Sequence, residues 1–338
     1  MNDALKLALE GQLGPRFRLL PDGRAWLAPA GDAELRMVVT QFHRFGEPLF
    51  AHAELYRAAL GGIGRVEPAS GVVEADAGVT LAAIDRAAEP HGLTVGALSP
   101  KAYALELAAF LEGPYQGLRP VLGGRLEPVC LALEAVLPDG IPFASKPSPR
   151  SAAGPDLDAL ILGGEGRFGW VSRATLRLLP RPELTRRVVY SFPDGALLAR
   201  AARRLLSAGC HVRCAWAQQR GGRALLELEL GGNAECIERD LSTCSNETAE
   251  AGGRASGQVL DDAPTGEERE LSWPEVVREL ELGGRVALFR LSTEAVVAIG
   301  AARGRRLVNG QAWASAGAWE VLAATLGGPA SAPSGVGE

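Results

Sequence analysis

Residues 151–180 read SAAGPDLDALILGGEGRFGWVSRATLRLLP and contain a helix pattern, a glycine turn and a strand pattern in succession. Leucine and isoleucine at i, i+3, i+4 spacing predict a short helix over 155–162 with one buried face. The three glycines within 163–166 allow positive φ angles and a close approach of the backbone to another group. Alternating apolar residues predict a strand over 170–179, which Pro180 ends.

The pattern alone is also that of an ordinary helix, turn and strand. Its residue identities, however, resemble the signature of the FAD-binding PCMH-type flavoproteins, the family of vanillyl-alcohol oxidase and p-cresol methylhydroxylase. The residues that match this signature are Ala153, Gly154, Asp156, Leu157, Leu160, Gly163, Glu165, Gly166, Gly169, Ala174, Thr175, Leu176, Arg177, Leu178 and Pro180. Gly164 stands where the family usually has serine, and Phe168 stands where it has leucine. The resemblance implies an α+β chain with a two-subdomain PCMH-type FAD-binding fold.

Two shorter stretches indicate particular branches of the family. Residues 149–156 are similar to the branch that contains alkyl-dihydroxyacetone-phosphate synthase. Residues 286–292, VALFRLS, resemble a segment of the FAD-binding subunit of bacterial glycolate oxidase. This second resemblance implies an FAD-dependent dehydrogenase, in which FAD takes a hydride equivalent from a small 2-hydroxy acid and the protein positions the reactants.

The resemblance also implies which residues contact the cofactor, because the backbone after the glycine turn lies along FAD in the family. The cofactor-binding candidates are therefore Gly163, Gly164, Glu165, Gly166, Gly169, Val171 and Ser172. No catalytic residue is identified, since a glutamate within a glycine turn braces the backbone as readily as it acts in catalysis. Arg223 and Arg290 are candidates for bidentate binding of a substrate carboxylate, although surface placement is the better explanation of both.

The opening of the family domain is also similar, but its first phosphate loop is not. A strand over 25–29, a helix over 32–45 and a second strand over 47–50 are predicted. In the family, a glycine-rich loop that holds the FAD pyrophosphate follows this second strand. Here residues 51–57, AHAELYR, contain no glycine. The next glycines, within 61–64, are an alternative source of phosphate contacts.

A second cofactor loop of the family has lost its glycines as well. Residues 103–113, YALELAAFLEG, stand where paired glycines normally pack on the flavin and its phosphates. A phosphate nest needs successive N–H groups that point inward, which glycine permits and residues with a Cβ atom resist. The absence of glycine at 51–57 and of the paired glycines at 103–113 therefore predicts weakened FAD binding.

Two functions remain open on these observations. The first is an FAD-binding oxidoreductase, for example a subunit of a 2-hydroxy acid dehydrogenase of glycolate or lactate type. The second is a non-catalytic pseudoenzyme of the same fold that has lost FAD and serves as a binding or assembly subunit. The expected partners are a small-molecule substrate in the first case and a flavoprotein or iron–sulfur protein subunit in either.

Length and composition allow about two domains, because the chain has 338 residues, of which 47% are hydrophobic and 22% are charged. We expect an N-terminal helix and connection over 1–24 and an FAD-binding domain over 25–182. A cap domain over 183–326 and a disordered tail over 327–338 complete the predicted organisation.

The cap is predicted to be an α+β domain of ferredoxin-like order. Its predicted elements are a strand at 188–192, a helix at 195–208, strands at 212–216 and 223–230, a helix at 234–251 and a loop at 252–269. A helix is then expected at 273–280, followed by strands at 285–291 and 295–299.

Charge and hydropathy exclude two classes of partner. The net charge of −5, without a cluster of Lys and Arg, gives no surface for nucleic acid. No run approaches the roughly 20 apolar residues of a membrane span. The N-terminus, MNDALKLALEG, has no basic leader, so we expect no signal peptide and a cytoplasmic location.

The cysteines and histidines give no firm metal site. Five cysteines are an odd number, which disfavours a disulfide framework. Cys210, His211 and Cys214 carry atoms that bind zinc well, but their spacing lacks a convincing second pair, although Cys236 and Cys244 follow. We therefore predict buried or free thiols and no metal. The four histidines form neither a metal pair nor part of a nucleophile motif.

Overall fold

A computed structural model describes most of the chain up to residue 257. The described residues are 1–98, 100–113, 115–121, 125–147, 156–257, 268–272, 277, 285–288, 290–291 and 295–299. The predicted helix at 273–280, apart from residue 277, and the predicted tail at 327–338 lie outside them.

Helices occur in both halves of the described chain. They are α1 (Asp3–Leu13), α2 (Asp32–Arg44), α3 (Leu49–His52), α4 (Leu81–Ala88), α5 (Pro100–Ala104), α6 (Leu107–Glu112), α7 (Asp158–Ile161), α8 (Gly195–Ser207) and α9 (Ala234–Glu250). The N-cap of α2 is Gly31, whereas four of the helices, α1, α4, α8 and α9, begin at a side chain that accepts a backbone N–H of the first turn. These capping residues are Asn2, Thr80, Asp194 and Asn233.

The strands up to residue 180 form small, mostly antiparallel sheets. They are β1 (Phe17–Leu19), β2 (Ala25–Leu27), β3 (Ala53–Leu55), β4 (Val72–Asp76), β5 (Leu93–Thr94), β6 (Leu118–Val121), β7 (Arg125–Pro128), β8 (Cys130–Val136), β9 (Pro142–Ala144), β10 (Trp170–Arg177) and β11 (Leu179–Pro180). One sheet has the order β1-β2-β3, with β2 and β3 parallel, and another has the order β4-β10-β8-β9.

The strand β10 is an inner strand of its sheet, and it is the strand that the sequence signature predicts. It pairs antiparallel with β4 on one side and with β8 on the other. Val171, Ala174 and Leu176 are buried, as their apolar character predicts. A register shift against β8 at Ser172 breaks the alternation, so that this polar side chain is also buried.

The N-terminal helix belongs to the same core as the first sheet. Leu5, Leu9 and Leu13 of α1 are buried in one hydrophobic cluster with Val38 and Phe42 of α2. The predicted connection after α1 contains β1, because Phe17 is buried and Phe17–Leu19 pairs with β2. The connection predicted up to residue 24 thus contains a short strand that the sequence analysis did not identify.

Two predicted elements near the cofactor segments also differ. The second strand, expected at 47–50, lies at Ala53–Leu55, because the chain after Pro48 makes the helical turn α3, which buries Leu49. Residues 51–55 are consequently helix and strand rather than a loop, and residues 56–57 follow the strand. The helix expected over 155–162 is described only as α7, at Asp158–Ile161, and of its three predicted core residues Ile161 alone is buried.

The remaining strands belong to the C-terminal half of the chain. They are β12 (Leu184–Phe192), β13 (Val212–Arg220), β14 (Arg223–Gly232), β15 (Arg254–Ser256), β16 (Glu268–Ser272), β17 (Arg285–Leu288), β18 (Arg290–Leu291) and β19 (Ala295–Ile299). The predicted loop at 252–269 contains β15, which pairs with β12 through Ser191 and Tyr190. That part of the loop prediction was wrong.

The first four strands of this half and the helices α8 and α9 follow the order strand, helix, strand, strand, helix, strand. In the sheet their order is β15-β12-β14-β13, with β17 added beside β13. The chain order is that of the ferredoxin-like motif. Because the predicted cap extends to residue 326, beyond the described residues, the cap domain as a whole stays a prediction.

Two leucines of α1 test how firmly this helix is docked. We expect Leu9→Ala to lower the free energy of unfolding by about 2–5 kcal/mol, because the side chain is 0% exposed and its loss leaves a cavity. Leu7→Ala in the same helix is the matched control, since Leu7 is 73% exposed, and it should change stability by about 0.5 kcal/mol or less. Urea unfolding of both variants measures the difference. Equal effects would show that α1 does not pack on the core.

Candidate functional site

Three segments that are far apart in the sequence meet beside the start of β10. We call them the first segment (56–62, after β3), the second segment (107–113, α6 and its end) and the turn segment (163–172). The first two overlap the cofactor loops that lack the family's glycines, and the third contains the glycine turn of the family signature. The structure therefore brings together the parts of the chain that the resemblance assigns to FAD.

A buried ion pair joins the first segment to the second. Arg57 donates from Nη1 to Glu112 Oε1 at 2.5 Å and from Nη2 to Glu112 Oε2 at 2.6 Å. Both residues are only 6% exposed. This two-fold geometry is the strongest form of the arginine–carboxylate interaction, and burial protects it from screening by salt.

The same pair is hydrogen-bonded to the turn segment through the backbone of Val171. The backbone N–H of Val171 donates to Glu112 Oε1 at 2.6 Å. The backbone carbonyl of Val171 accepts from Arg57 Nη1 at 2.8 Å. Because Val171 is fully buried at the start of β10, the ion pair fixes both loops to the central sheet.

The backbone of the turn segment is bonded to the second segment as well. The N–H of Gly163 donates to the carbonyl of Leu111 at 2.8 Å, and the N–H of Glu165 donates to the carbonyl of Glu112 at 2.9 Å. Gly163 and Gly166 have φ angles of +75°, and Glu165 has a φ of +53°. The positive angles predicted for the glycines are present, and they let the turn fold back onto α6.

Close packing explains why this turn is rich in glycine. A Cβ atom at Gly166 would lie 2.6 Å from Trp170 Nε1, and one at Gly164 would lie 2.6 Å from the carbonyl oxygen of Leu160. At Gly169 a Cβ atom would approach the carbonyl oxygen of Val136 to 3.2 Å. The glycines therefore serve contacts within the protein.

The polar candidates of the turn segment also have protein partners. The carboxylate of Glu165 lies 3.1 Å from Arg167 Nη1 in a partly exposed ion pair. The hydroxyl of Ser172 donates to the carbonyl of Glu134 at 3.4 Å. Ser172 is thus bonded to the backbone of the neighbouring strand, and Glu165 is paired with a neighbouring side chain.

The glycines at 61–64 do not form a replacement phosphate nest. The N–H of Gly62 donates to the Asp76 carboxylate at 2.9 Å, and the N–H of Gly64 donates to the carbonyl of Glu74 at 2.8 Å. These donors are engaged within the protein. The carboxylate of Asp76 would in addition repel a diphosphate placed at Gly62.

The second segment has used its backbone donors in the same way. Leu107 and Ala108 donate to the carbonyls of Val79 and Ala77, and Gly113 donates to the carbonyl of Ala109. As arranged, the described residues of the first and second segments do not fit the diphosphate of FAD in the manner of the family. The turn segment retains the glycine backbone that the family places along the cofactor.

An acidic side chain adjoins the ion pair. Desolvation by burial raises the pKa of Glu106, while the charge of Arg57 and the backbone N–H of Arg57 act in the opposite direction. The surroundings of Arg57 are therefore acidic as well as dry, which is unfavourable for an additional negative ligand beside the ion pair.

The cysteine and histidine motif of the second half serves the core. Cys210 and Cys244 are buried in one hydrophobic cluster. His211 is turned to Asp240, whose carboxylate accepts from the His211 backbone N–H at 2.8 Å and lies 2.7 Å from Nδ1. Within the described residues no group of three or more His, Cys, Asp or Glu side chains could hold a metal ion. The side chain of Cys214 lies outside them.

Of the two arginines proposed for a substrate carboxylate, the structure describes the side chain of Arg223. Arg223 donates from Nε to the hydroxyl of Ser191 at 2.6 Å, at the exposed end of β14. The side chain of Arg290 lies outside the described residues. In the described part of the chain, no helix combines the length and apolar character needed to cross a membrane.

The residues that sequence reasoning missed are Arg57 and Glu112. The sequence analysis considered each of them only as part of a cofactor loop that lacks the family's glycines. A signal was present for Glu112, because it ends the apolar run LAAFL, where a charged residue needs a partner if the helix is buried. Nothing in the sequence identified Arg57 as that partner.

Two glycines with positive φ test the close packing of the turn. Gly166→Ala should lower the free energy of unfolding by about 2–4 kcal/mol, because backbone strain adds to the clash with Trp170. Gly209→Ala is the control, since Gly209 has a φ of +70° with nothing within 4 Å, and strain alone should cost about 1–2 kcal/mol. Urea unfolding compares them. A cost at Gly166 no greater than at Gly209 would contradict the packing described for Trp170.

Comparisons with known proteins give partial matches. No family model matches the chain. Alkyldihydroxyacetonephosphate synthase of Caenorhabditis elegans is 30% identical over 120 residues, which are 36% of this chain and 20% of that protein. An uncharacterised FAD-linked oxidoreductase of Escherichia coli is 33% identical over 105 residues, 31% of this chain and 22% of that protein.

A further relative and a solved structure are also similar to this chain. D-lactate dehydrogenase of Archaeoglobus fulgidus is 34% identical over 106 residues, which are 31% of this chain and 24% of that protein. The match thus spans about a fifth to a quarter of each curated relative. The structure of p-cresol methylhydroxylase with bound substrate covers 86% of this chain and 78% of its own, with a TM-score of 0.61 and 12% identity.

The likeness to the solved structure concerns the fold, and the likeness to the relatives concerns the sequence. The relatives favour an FAD-binding oxidoreductase-like protein over the pseudoenzyme alternative. The resemblance predicted from residues 151–180 is confirmed, and the sequence relatives and the fold together support the PCMH-type FAD-binding family for this chain.

Proposed function

We propose that the chain is an FAD-binding oxidoreductase of the PCMH type that acts on a small 2-hydroxy acid. The observation that carries this proposal is the sequence likeness to an FAD-linked oxidoreductase and to a D-lactate dehydrogenase, on a fold shared with p-cresol methylhydroxylase. Lactate and glycolate are the substrates to test first, because the first is in the name of one relative and the second follows from the resemblance of residues 286–292.

In this proposal the turn segment is the part of the chain that contacts FAD. Its contribution is a rigid backbone, since Gly163 and Glu165 are bonded to α6 and Val171 is fixed by the ion pair. The contacting residues proposed are Gly163, Gly164, Glu165, Gly166, Gly169, Val171 and Ser172. Rigidity favours this role, because a contact surface that is already ordered loses little entropy on binding.

The proposal includes a protein partner and a location. A flavoprotein or iron–sulfur subunit is the expected partner, because the resemblance of residues 286–292 is to one subunit of a multisubunit oxidase. A cytoplasmic location is part of the proposal, and cell fractionation with an antibody against the chain tests it.

A second candidate function is supported by the ion pair of Arg57 and Glu112. The pair occupies the meeting point of the two segments that hold the phosphates of FAD in the family. A chain in which these segments are bonded to each other suits a non-catalytic binding or assembly subunit. The relatives favour the oxidoreductase, and the described geometry of the phosphate segments favours this alternative.

Visible absorbance of the purified protein separates the two candidates. The oxidoreductase proposal predicts bound flavin, released as FAD on denaturation, or saturable uptake of added FAD. Riboflavin is the control ligand, because it has the flavin ring without the diphosphate. A colourless protein that fails to take up FAD would contradict the oxidoreductase proposal and support the second candidate.

If flavin is present, turnover identifies the substrate class. We expect D-lactate or glycolate to bleach the flavin anaerobically and to reduce an artificial electron acceptor in steady state. The corresponding acids without the 2-hydroxyl group, propionate and acetate, are the matched controls, because they keep the carboxylate but have no hydride to give.

A further inference from the structure

The carboxylate of Glu112 has the contacts of a bound anion. It accepts two N–H groups from the guanidinium of Arg57 and one from the backbone of Val171, at 2.5, 2.6 and 2.6 Å. A planar guanidinium with a converging backbone N–H is the usual donor set for carboxylates and phosphates in proteins. The donors come from two segments, and the anion comes from a third.

The donor set has capacity that Glu112 does not use. Arg57 Nε is buried and has no hydrogen-bond partner within the described part of the chain. Arg57 therefore has two donors bonded to a carboxylate and one buried donor that no described residue accepts. A buried donor of this kind lowers the free energy of unfolding. A free anion with more acceptor oxygens than a carboxylate has the chemistry to use this donor.

From this arrangement we infer an anion-binding site, built from Arg57 and the Val171 N–H, that the chain fills with its own Glu112. The site takes carboxylates and phosphates, and Glu112 keeps external anions of these classes out of it. The inference draws on the proposed function only for the identity of the excluded ligand, the diphosphate of FAD. The contacts among Arg57, Glu112 and Val171 stand without it.

The electrostatic consequence is that removing Glu112 creates a vacancy for an anion. The guanidinium of Arg57 stays charged in a protein even when it is buried. Without Glu112 it loses its bidentate partner in a place where only 6% of the residue meets solvent, and Glu106 is the acidic side chain left nearby. A buried cation that has lost its partner binds a small anion in compensation, in the space that the missing carboxylate leaves.

The experiment is rescue of Glu112→Ala by small anions. Thermal unfolding is followed while acetate or inorganic pyrophosphate replaces chloride at constant ionic strength. We expect saturable stabilisation of the variant, half-maximal at an anion concentration at least tenfold lower than any effect on the wild type. The double variant Arg57→Gln/Glu112→Ala lacks the cation and should not respond.

A second control addresses surface effects of the anions. Glu67→Ala removes an exposed partner of Arg65, 3.3 Å away in the native protein, and should show no saturable response. The inference fails if neither anion stabilises Glu112→Ala beyond chloride, or if the double variant responds equally.

Loss of the fold in Glu112→Ala would not end the test. The yield of refolding of Glu112→Ala in acetate against chloride then gives the same information, because the space of the missing carboxylate stays open to the anion. A higher yield in acetate that disappears in Arg57→Gln/Glu112→Ala supports the inference, and equal yields overturn it. Flavin content of the wild type decides the proposed function by a separate measurement, so the two can fail independently.

Discussion

The structure of the first half of the chain depends on one buried ion pair. Arg57 and Glu112 are charged residues in an apolar interior, and each is tolerated only because the other is present. Through Val171 the pair is bonded to the central strand β10, so the loop after β3, the end of α6 and the glycine turn share one fixed point. The position of the candidate cofactor segments follows from this requirement for charge balance in a dry environment.

Much of this half could be predicted from the sequence, because its elements carry local signals. The alternation in β10 and the apolar face of α2 are readable as periodicity, and they correspond to buried side chains. The glycine turn was predictable in conformation, since Gly163 and Gly166 have the positive φ angles that their identity permits. The three-residue strand β3 was misplaced, because so short a strand has no period to read and the turn after Pro48 shifted it along the chain.

The ion pair could not be predicted from local sequence patterns, for a physical reason. Charged residues are exposed by default, and burial of one is decided by whether a partner arrives from elsewhere in the fold. Glu112 and Arg57 come from separate elements, so neither has a pattern that marks it. The positive φ of Glu165 is a similar case, because its αL conformation is set by backbone bonds to α6 rather than by its own side chain.

The separation of the bonded residues along the chain has a kinetic consequence. Arg57 lies 55 residues before Glu112 and 114 residues before Val171. Contacts that close such long loops form after the local helices and hairpins, because the loop-closure entropy is recovered only once neighbouring elements are in place. Interactions that form late act mainly on the rate of unfolding. We therefore expect the ion pair to set the lifetime of the native state more than the speed at which the chain reaches it.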